Sequence, residues 1–114
     1  MTDLPQQDRP LSEQFRIVAK AFATAYGDMS MLENTRTGEL AKLIKKHMAE
    51  SNEKVSHAAA DMHVKASDEW FAINRKLADA KEKVEVLRAQ KKYIDMQSWE
   101  RQNADANRRK ELGL

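Results

Sequence analysis

The sequence predicts an all-α fold, with an N-terminal helix followed by a long helix or helical hairpin that packs in the manner of a coiled coil. Two observations support this. Apolar residues recur at alternating spacings of three and four along most of the chain, which is the pattern of a helix packed on another helix. The 74 residues from 39 to 112 also contain neither glycine nor proline, so nothing there obliges a helix to stop.

The first predicted helix covers about residues 11–34. Residues 1–10 hold both prolines of the chain and are expected to form a flexible leader, with residues 11–114 as a single helical domain. Residues 34–38 end in a glycine, which suits a left-handed helix cap, so a corner between two helices is expected there. The apolar stripe of this helix is Leu11, Phe15, Val18, Phe22, Ala25, Met29 and Leu32.

The second predicted segment covers about residues 39–108, as one long helix or as two. Met62, Ala66 and Trp70 follow one another at spacings of four, and this shifts the phase of the apolar stripe. Ser67 is followed by two acids, as at the start of a new helix. A break near 63–68 is therefore expected, and the polar, basic residues after 102 are expected to form a frayed tail.

The apolar stripes are predicted to hold separate copies of the chain together, because a helix as long as the second segment indicates an elongated or oligomeric molecule. The residues expected at this oligomer interface are Phe15, Val18, Phe22, Trp70, Ile73, Leu77, Val84, Leu87 and Ile94.

Positive charge is concentrated toward the C-terminal end. The net charge is +2, yet residues 71–114 hold eleven Lys and Arg against seven Asp and Glu. Lys81, Arg88 and Lys92 fall within about 40° of one another on a helix, and such a line could follow phosphates. The alternative is a solvated flank paired with neighbouring acids. The candidate nucleic-acid-binding residues are Lys81, Arg88, Lys91, Lys92, Tyr93, Arg101, Arg108 and Arg109.

No pattern of residues indicates catalysis or a cofactor. There is no cysteine and no HExxH, glycine-rich phosphate loop or nucleophile elbow. His57 and His63 lie on different faces of a helix, and His57 with Asp61 gives only two ligands, so no metal site is expected. The sequence contains neither a signal peptide nor a membrane-spanning stretch, so a cytoplasmic protein that is not an enzyme is predicted.

The stretch WFAINRKLADAKEKVEVLRAQKKYIDMQSW, residues 70–99, covers about a quarter of the chain. It resembles the central helical region of the UvsY-like recombination mediators of bacteriophages. The shared features are an opening tryptophan, a heptad stripe, a basic cluster and a later aromatic residue. The stripe and cluster are formed by Ile73, Leu77, Val84, Leu87, Arg88, Gln90, Lys91 and Lys92.

This resemblance implies a phage-encoded homo-oligomer, located in the host cytoplasm, that binds single-stranded DNA. Such a protein helps to displace a single-strand-binding protein and to load a strand-exchange recombinase. The alternative is a structural or interaction coiled-coil protein without a nucleic-acid role, such as an assembly factor, an inhibitor or a secretion-type helical hairpin. Membrane-surface binding through residues 11–32 ranks last, because that segment carries only Arg16 and Lys20 as basic residues.

Overall fold

Three helices account for nearly all of the residues that the structure, a computed structural model, describes, which are residues 10–113. Helix α1 is Leu11–Glu50, helix α2 is His57–Lys65 and helix α3 is Asp68–Glu111. Residues 10–113 form no strand, so the predicted all-α class is confirmed. The expected leader, apart from Pro10, lies outside the described residues.

The chain divides into two compact units. Unit 1 combines the residues up to Ala25 with those from Lys83 onward, and unit 2 is Tyr26–Glu82. Unit 1 therefore contains the beginning of α1 and the larger part of α3, and unit 2 contains the rest of both helices together with α2. The expectation of a single domain stays a prediction.

The expected corner at residues 34–38 is wrong, because α1 is helical through all of them. Thr35 Oγ1 donates to the carbonyl oxygen of Met31 at 2.9 Å, so the hydroxyl bonds within the helix instead of capping a new one. Gly38 costs the helix about 1 kcal/mol relative to alanine. The helix beyond it contributes Ile44 to the core of unit 2, and that burial offsets the cost.

The first break in the helices lies instead at residues 51–56, where serine side chains compete for backbone groups. Ser51 Oγ donates to the carbonyl oxygen of Glu53 at 2.8 Å, which replaces a helical bond by a local turn. Ser56 then starts α2 as its N-cap, and its Oγ accepts from the Ala59 N–H at 3.1 Å. This break was not predicted from the sequence.

The second break agrees with the predicted one near 63–68, since α2 ends at Lys65 and α3 begins at Asp68. Ser67 Oγ accepts from the Trp70 N–H at 3.3 Å, as an N-cap residue does. The two acids that follow lie in the first turn of α3, where they face the positive end of the helix dipole.

The C-terminal end of α3 differs from the frayed tail that was expected. The helix continues to Glu111, and Arg108, Arg109 and Lys110 form its last turn. Cations in a last turn interact favourably with the negative end of the helix dipole, which explains why the helix persists there although residues 100–113 are exposed.

Unit 1 is an antiparallel pairing of α1 and α3. Phe15 lies beside Ile94 and Ser98, and Phe22 lies beside Arg88, so rising residue numbers on one helix meet falling numbers on the other. The buried apolar residues on the two helices are Val18, Ala25, Val84, Leu87 and Ile94. They belong to the predicted apolar stripes, whose phase is therefore confirmed in this unit.

Unit 2 has a core of Ile44, Ala60 and Val64. The predicted stripe is wrong within α2, because Met62 is 74% exposed whereas Ala60 is 0% exposed. A new helix starts after the break at residues 51–56, so the side of the helix that carries the apolar stripe changes there. Spacings counted on from α1 without a break therefore select the wrong side of α2. The partly buried residues around this core are Leu40, Leu43, Val55 and Trp70.

Gly38→Ala should raise the free energy of unfolding by about 1 kcal/mol, since alanine is the better residue in a helix interior. A Cβ at Gly38 would meet no atom within 4 Å. Urea unfolding followed by circular dichroism measures the change. Gly113→Ala is the control. It should not raise the free energy of unfolding, because Gly113 has φ +72°, a conformation that suits glycine and not alanine. If Gly38→Ala is destabilising instead, the helix ends at residue 38 as the sequence suggested.

Candidate nucleic-acid interface

One face of α3 in unit 1 collects basic side chains. At 100° per residue, Arg88, Lys92 and Lys110 lie within about 40° of one another around the helix. All three are exposed. We call these three residues the α3 basic face. A row of exposed cations on a rigid helix is an arrangement that suits phosphate groups.

Two acids lie close to the α3 basic face and set its local charge. Arg88 Nη1 pairs with Glu85 Oε1 one turn earlier, and Asp95 lies within about 60° of Lys92 around the helix. The Arg88–Glu85 pair is solvent-exposed, so its attraction is weak and a competing phosphate can replace it. The Arg88 guanidinium also lies 5.7 Å from the centroid of the Phe22 ring.

Trp99 lies on the same side of α3 as the basic face. It is within about 20° of both Arg88 and Lys92 around the helix axis, and its side chain is 64% exposed. Trp99 was not among the candidate binding residues predicted from the sequence. Its spacing of seven from Lys92 is the signal that could have placed it there.

Lys91, a predicted binding residue, turns inward. Lys91 is half-buried, and its Nζ lies 5.1 Å from the centroid of the Phe22 ring and 5.9 Å from the centroid of the Phe15 ring. The aromatic faces attract the ammonium group, and the aliphatic stem lies along apolar surface. Lys91 is therefore part of the packing in unit 1, where it shares the Phe22 ring with Arg88.

Of the remaining candidate residues, Lys81 has the same orientation around α3 as Arg88 and Lys92, and the others lie on other sides of the helix. Lys81 belongs to unit 2 and pairs with Glu33 at 3.4 Å. Tyr93 is about 100° from Lys92 around the helix, and its hydroxyl accepts from Gln97 Nε2 at 3.1 Å. Arg101, Arg108 and Arg109 are exposed, but they lie on other sides of α3.

The residues predicted to join separate copies are packed within the single chain. In unit 1 these are Phe15, Val18, Phe22, Val84, Leu87 and Ile94, and in unit 2 they are Trp70, Ile73 and Leu77, all buried or half-buried. The interface between copies stays a prediction.

A second apolar surface of α3 lies outside this packing and was not predicted. Val86, Tyr93 and Met96 are each more than half exposed. They follow at spacings of seven and three, so they share one side of the helix, between about 80° and 180° around the axis from the buried Leu87 and Ile94. We call these three residues the outer patch.

The histidines form a stacked pair instead of a metal cluster. The His47 ring on α1 and the His63 ring on α2 stack with centroids 4.0 Å apart and an interplanar angle of 15°. Asp61, the expected neighbour of His57, forms an ion pair with Lys65 at 3.1 Å. Across residues 10–113 the structure brings no three His, Asp or Glu residues together in a way that could hold a metal ion.

Comparison with known proteins gives no relative for the chain: no family model matches it, and neither does any curated protein or solved structure. Within the described part of the chain, none of the helices has the length and apolar character needed to cross a lipid bilayer.

Lys91→Glu should lower the free energy of unfolding by about 1–2 kcal/mol, because it removes a cation held against two aromatic faces and puts an anion there. Lys92→Glu makes the same charge change one residue later at an exposed position, so its effect should stay within about 0.5 kcal/mol. Urea unfolding of the two variants checks this. Equal losses would show that Lys91 does not point inward.

Proposed function

We propose that this chain is an oligomeric, single-stranded DNA-binding accessory protein of phage-type recombination or replication, with a binding role and no catalytic one. In this role it acts like a recombination mediator, helping to displace a single-strand-binding protein and to load a strand-exchange recombinase. The observation that carries the proposal is the α3 basic face. The resemblance of residues 70–99 to the UvsY-like mediators supplies the choice of DNA and of the recombination context.

The charge distribution supports a surface that is basic locally. The part of unit 1 on α3 carries eight Lys and Arg and five Asp and Glu, whereas the whole chain has a net charge of only +2. Two acids face Arg88 and Lys92, so one copy offers a phosphate strand few contacts. The expected affinity of one copy is correspondingly low.

Assembly of several copies would turn this low affinity into a useful one. When binding surfaces are linked, each further contact with the same strand becomes intramolecular, and the total affinity can exceed that of one copy by orders of magnitude. The proposed homo-oligomer therefore belongs to the binding mechanism. It also explains how a chain of nearly balanced charge could hold a polyanion.

The double variant Arg88→Gln/Lys92→Gln should weaken binding to single-stranded DNA and reduce its salt dependence. Each lost phosphate contact lowers the slope of log K against log salt by roughly 0.7, so the slope should fall by roughly 1.4. Fluorescence anisotropy with a labelled oligonucleotide, between low and moderate salt, measures both quantities.

The matched control is Lys45→Gln/Lys46→Gln, which removes two exposed charges from α1 in unit 2 and should leave the slope nearly unchanged. If both double variants lose the same affinity, the attraction is a general effect of charge and the α3 basic face is not the site. If the wild-type chain binds no oligonucleotide at low salt, the proposed function is wrong.

The outer patch favours a second candidate function, a structural or protein-interaction role without nucleic acid. Tyrosine and methionine are enriched where proteins meet and are costly to leave in water. The heptad-like spacing of Val86, Tyr93 and Met96 fits contact with another helix. Under the first proposal the outer patch would hold the copies together, and under the second it would be the main functional surface.

The double variant Tyr93→Glu/Met96→Glu should convert an oligomer of the chain into monomers, because two carboxylates cannot be buried unpaired in an apolar contact. Multi-angle light scattering gives the mass before and after the change. Met62→Glu, at an exposed methionine of α2, is the control and should leave the mass unaltered. A wild-type chain that is monomeric at all concentrations would contradict the oligomeric part of both candidates.

A further inference from the structure

We propose that Trp99 is the base-stacking residue of this chain, so that the α3 basic face recognises unpaired bases as well as phosphates. The inference rests on the proposed function and specifies its ligand class. It would make the site selective for single-stranded over double-stranded nucleic acid through one side chain.

The geometry of α3 places the Trp99 ring where a bound strand would pass. Arg88, Trp99 and Lys92 fall within about 40° around the helix, and Arg88 and Trp99 are about 16 Å apart along its axis. A strand whose phosphates lie along the basic residues therefore has its bases within reach of the indole.

The exposure of Trp99 is the second observation. It is 64% exposed, although tryptophan is among the side chains that gain most from burial. The other tryptophan behaves differently: Trp70 is partly buried against the core of unit 2, and Arg36 lies 5.2 Å from its ring centroid. The packing within unit 1 leaves the indole of Trp99 uncovered on the side of α3 that also carries Lys92 and Arg88, two and three turns earlier. An exposed ring in line with cations is the composition of a stacking platform for single strands.

Unpaired bases are the occupant that this arrangement favours. Each base has an open π-face that can stack on an indole, and the phosphates of the same strand bear the charge that Arg88 and Lys92 attract. In a duplex the bases are already stacked on one another, so the indole could make no comparable contact. A purely apolar protein partner would offer Arg88 and Lys92 no new counter-charge, and covering these cations would carry a desolvation cost.

The test compares Trp99→Ala with Phe71→Ala. Phe71 lies on the same helix and is 65% exposed, so both variants remove an aromatic ring of equal exposure without disturbing a core. Each variant and the wild-type chain are titrated with three labelled probes of equal length: a single-stranded oligonucleotide, the same strand with abasic sites throughout, and the duplex. Circular dichroism confirms that the helix content is unchanged.

The proposal expects Trp99→Ala to weaken binding to the single strand about 5- to 150-fold, the range for loss of one base–aromatic stack. The same variant should bind the abasic strand and the duplex as the wild-type chain does, and Phe71→Ala should match the wild type on all three probes. Trp99→Phe, which keeps a ring, should recover part of the loss.

Three results would overturn the proposal while leaving the proposed function intact. The first is wild-type affinity of Trp99→Ala for the single strand. The second is an equal loss on the intact and abasic strands. The third is a loss that accompanies a fall in the light-scattering mass, which would make Trp99 a contact between copies. Failure of the wild-type chain to bind any probe at low salt would instead remove the proposed function itself.

Discussion

The packing of α1 against α3 in unit 1 is the interaction on which the other features of this protein depend. Val18, Val84, Leu87 and Ile94 are buried between the two helices, and this fixes the rotation of α3 about its own axis. Once that rotation is fixed, every other side of α3 has a defined environment. Lys91 then lies against the phenylalanine rings of α1, and Arg88 is exposed at the edge of the same packing, beside the Phe22 ring. Lys92 and Trp99 face water. The proposed binding surface is thus a consequence of the apolar stripe on the other side of the same helix.

This dependence explains why two neighbouring lysines have different roles. Lys91 and Lys92 differ by about 100° around the helix, which is enough to place one over the Phe22 ring and the other in solvent. A half-buried cation over aromatic rings contributes to packing, whereas an exposed cation is available to an anionic ligand. Both lysines were predicted from the sequence as binding residues, and the structure gives them different environments. The surface charge that remains is modest, which is why the proposal relies on several copies acting together.

Helical periodicity made the long, regular parts of the fold predictable. The stripes of residues 11–32 and 70–98 place Val18, Val84, Leu87 and Ile94 inside, as found. The break at Ser67 was predictable because a serine followed by two acids has a direct capping mechanism.

The predicted corner at residues 34–38 was wrong because a glycine permits a helix end without requiring one, and burial of Ile44 farther along outweighs the cost of the glycine. The break at residues 51–56 was missed because serine side chains act there through local hydrogen bonds, which leave no trace in the apolar pattern. The pattern of apolar residues shows which side of a helix is buried. It does not show whether that side packs against a helix of the same chain or of another copy.

The measurement that tests the central claim most directly is ultraviolet cross-linking of the full-length protein to a single-stranded oligonucleotide, with the linked residues located by mass spectrometry. The account predicts that cross-links concentrate between Arg88 and Trp99 on α3, and that they diminish as salt is raised because the contacts are largely to phosphates. Cross-links that concentrate on α1 in unit 2, around Lys45 and Lys46, or that are spread evenly over all exposed lysines, would contradict it.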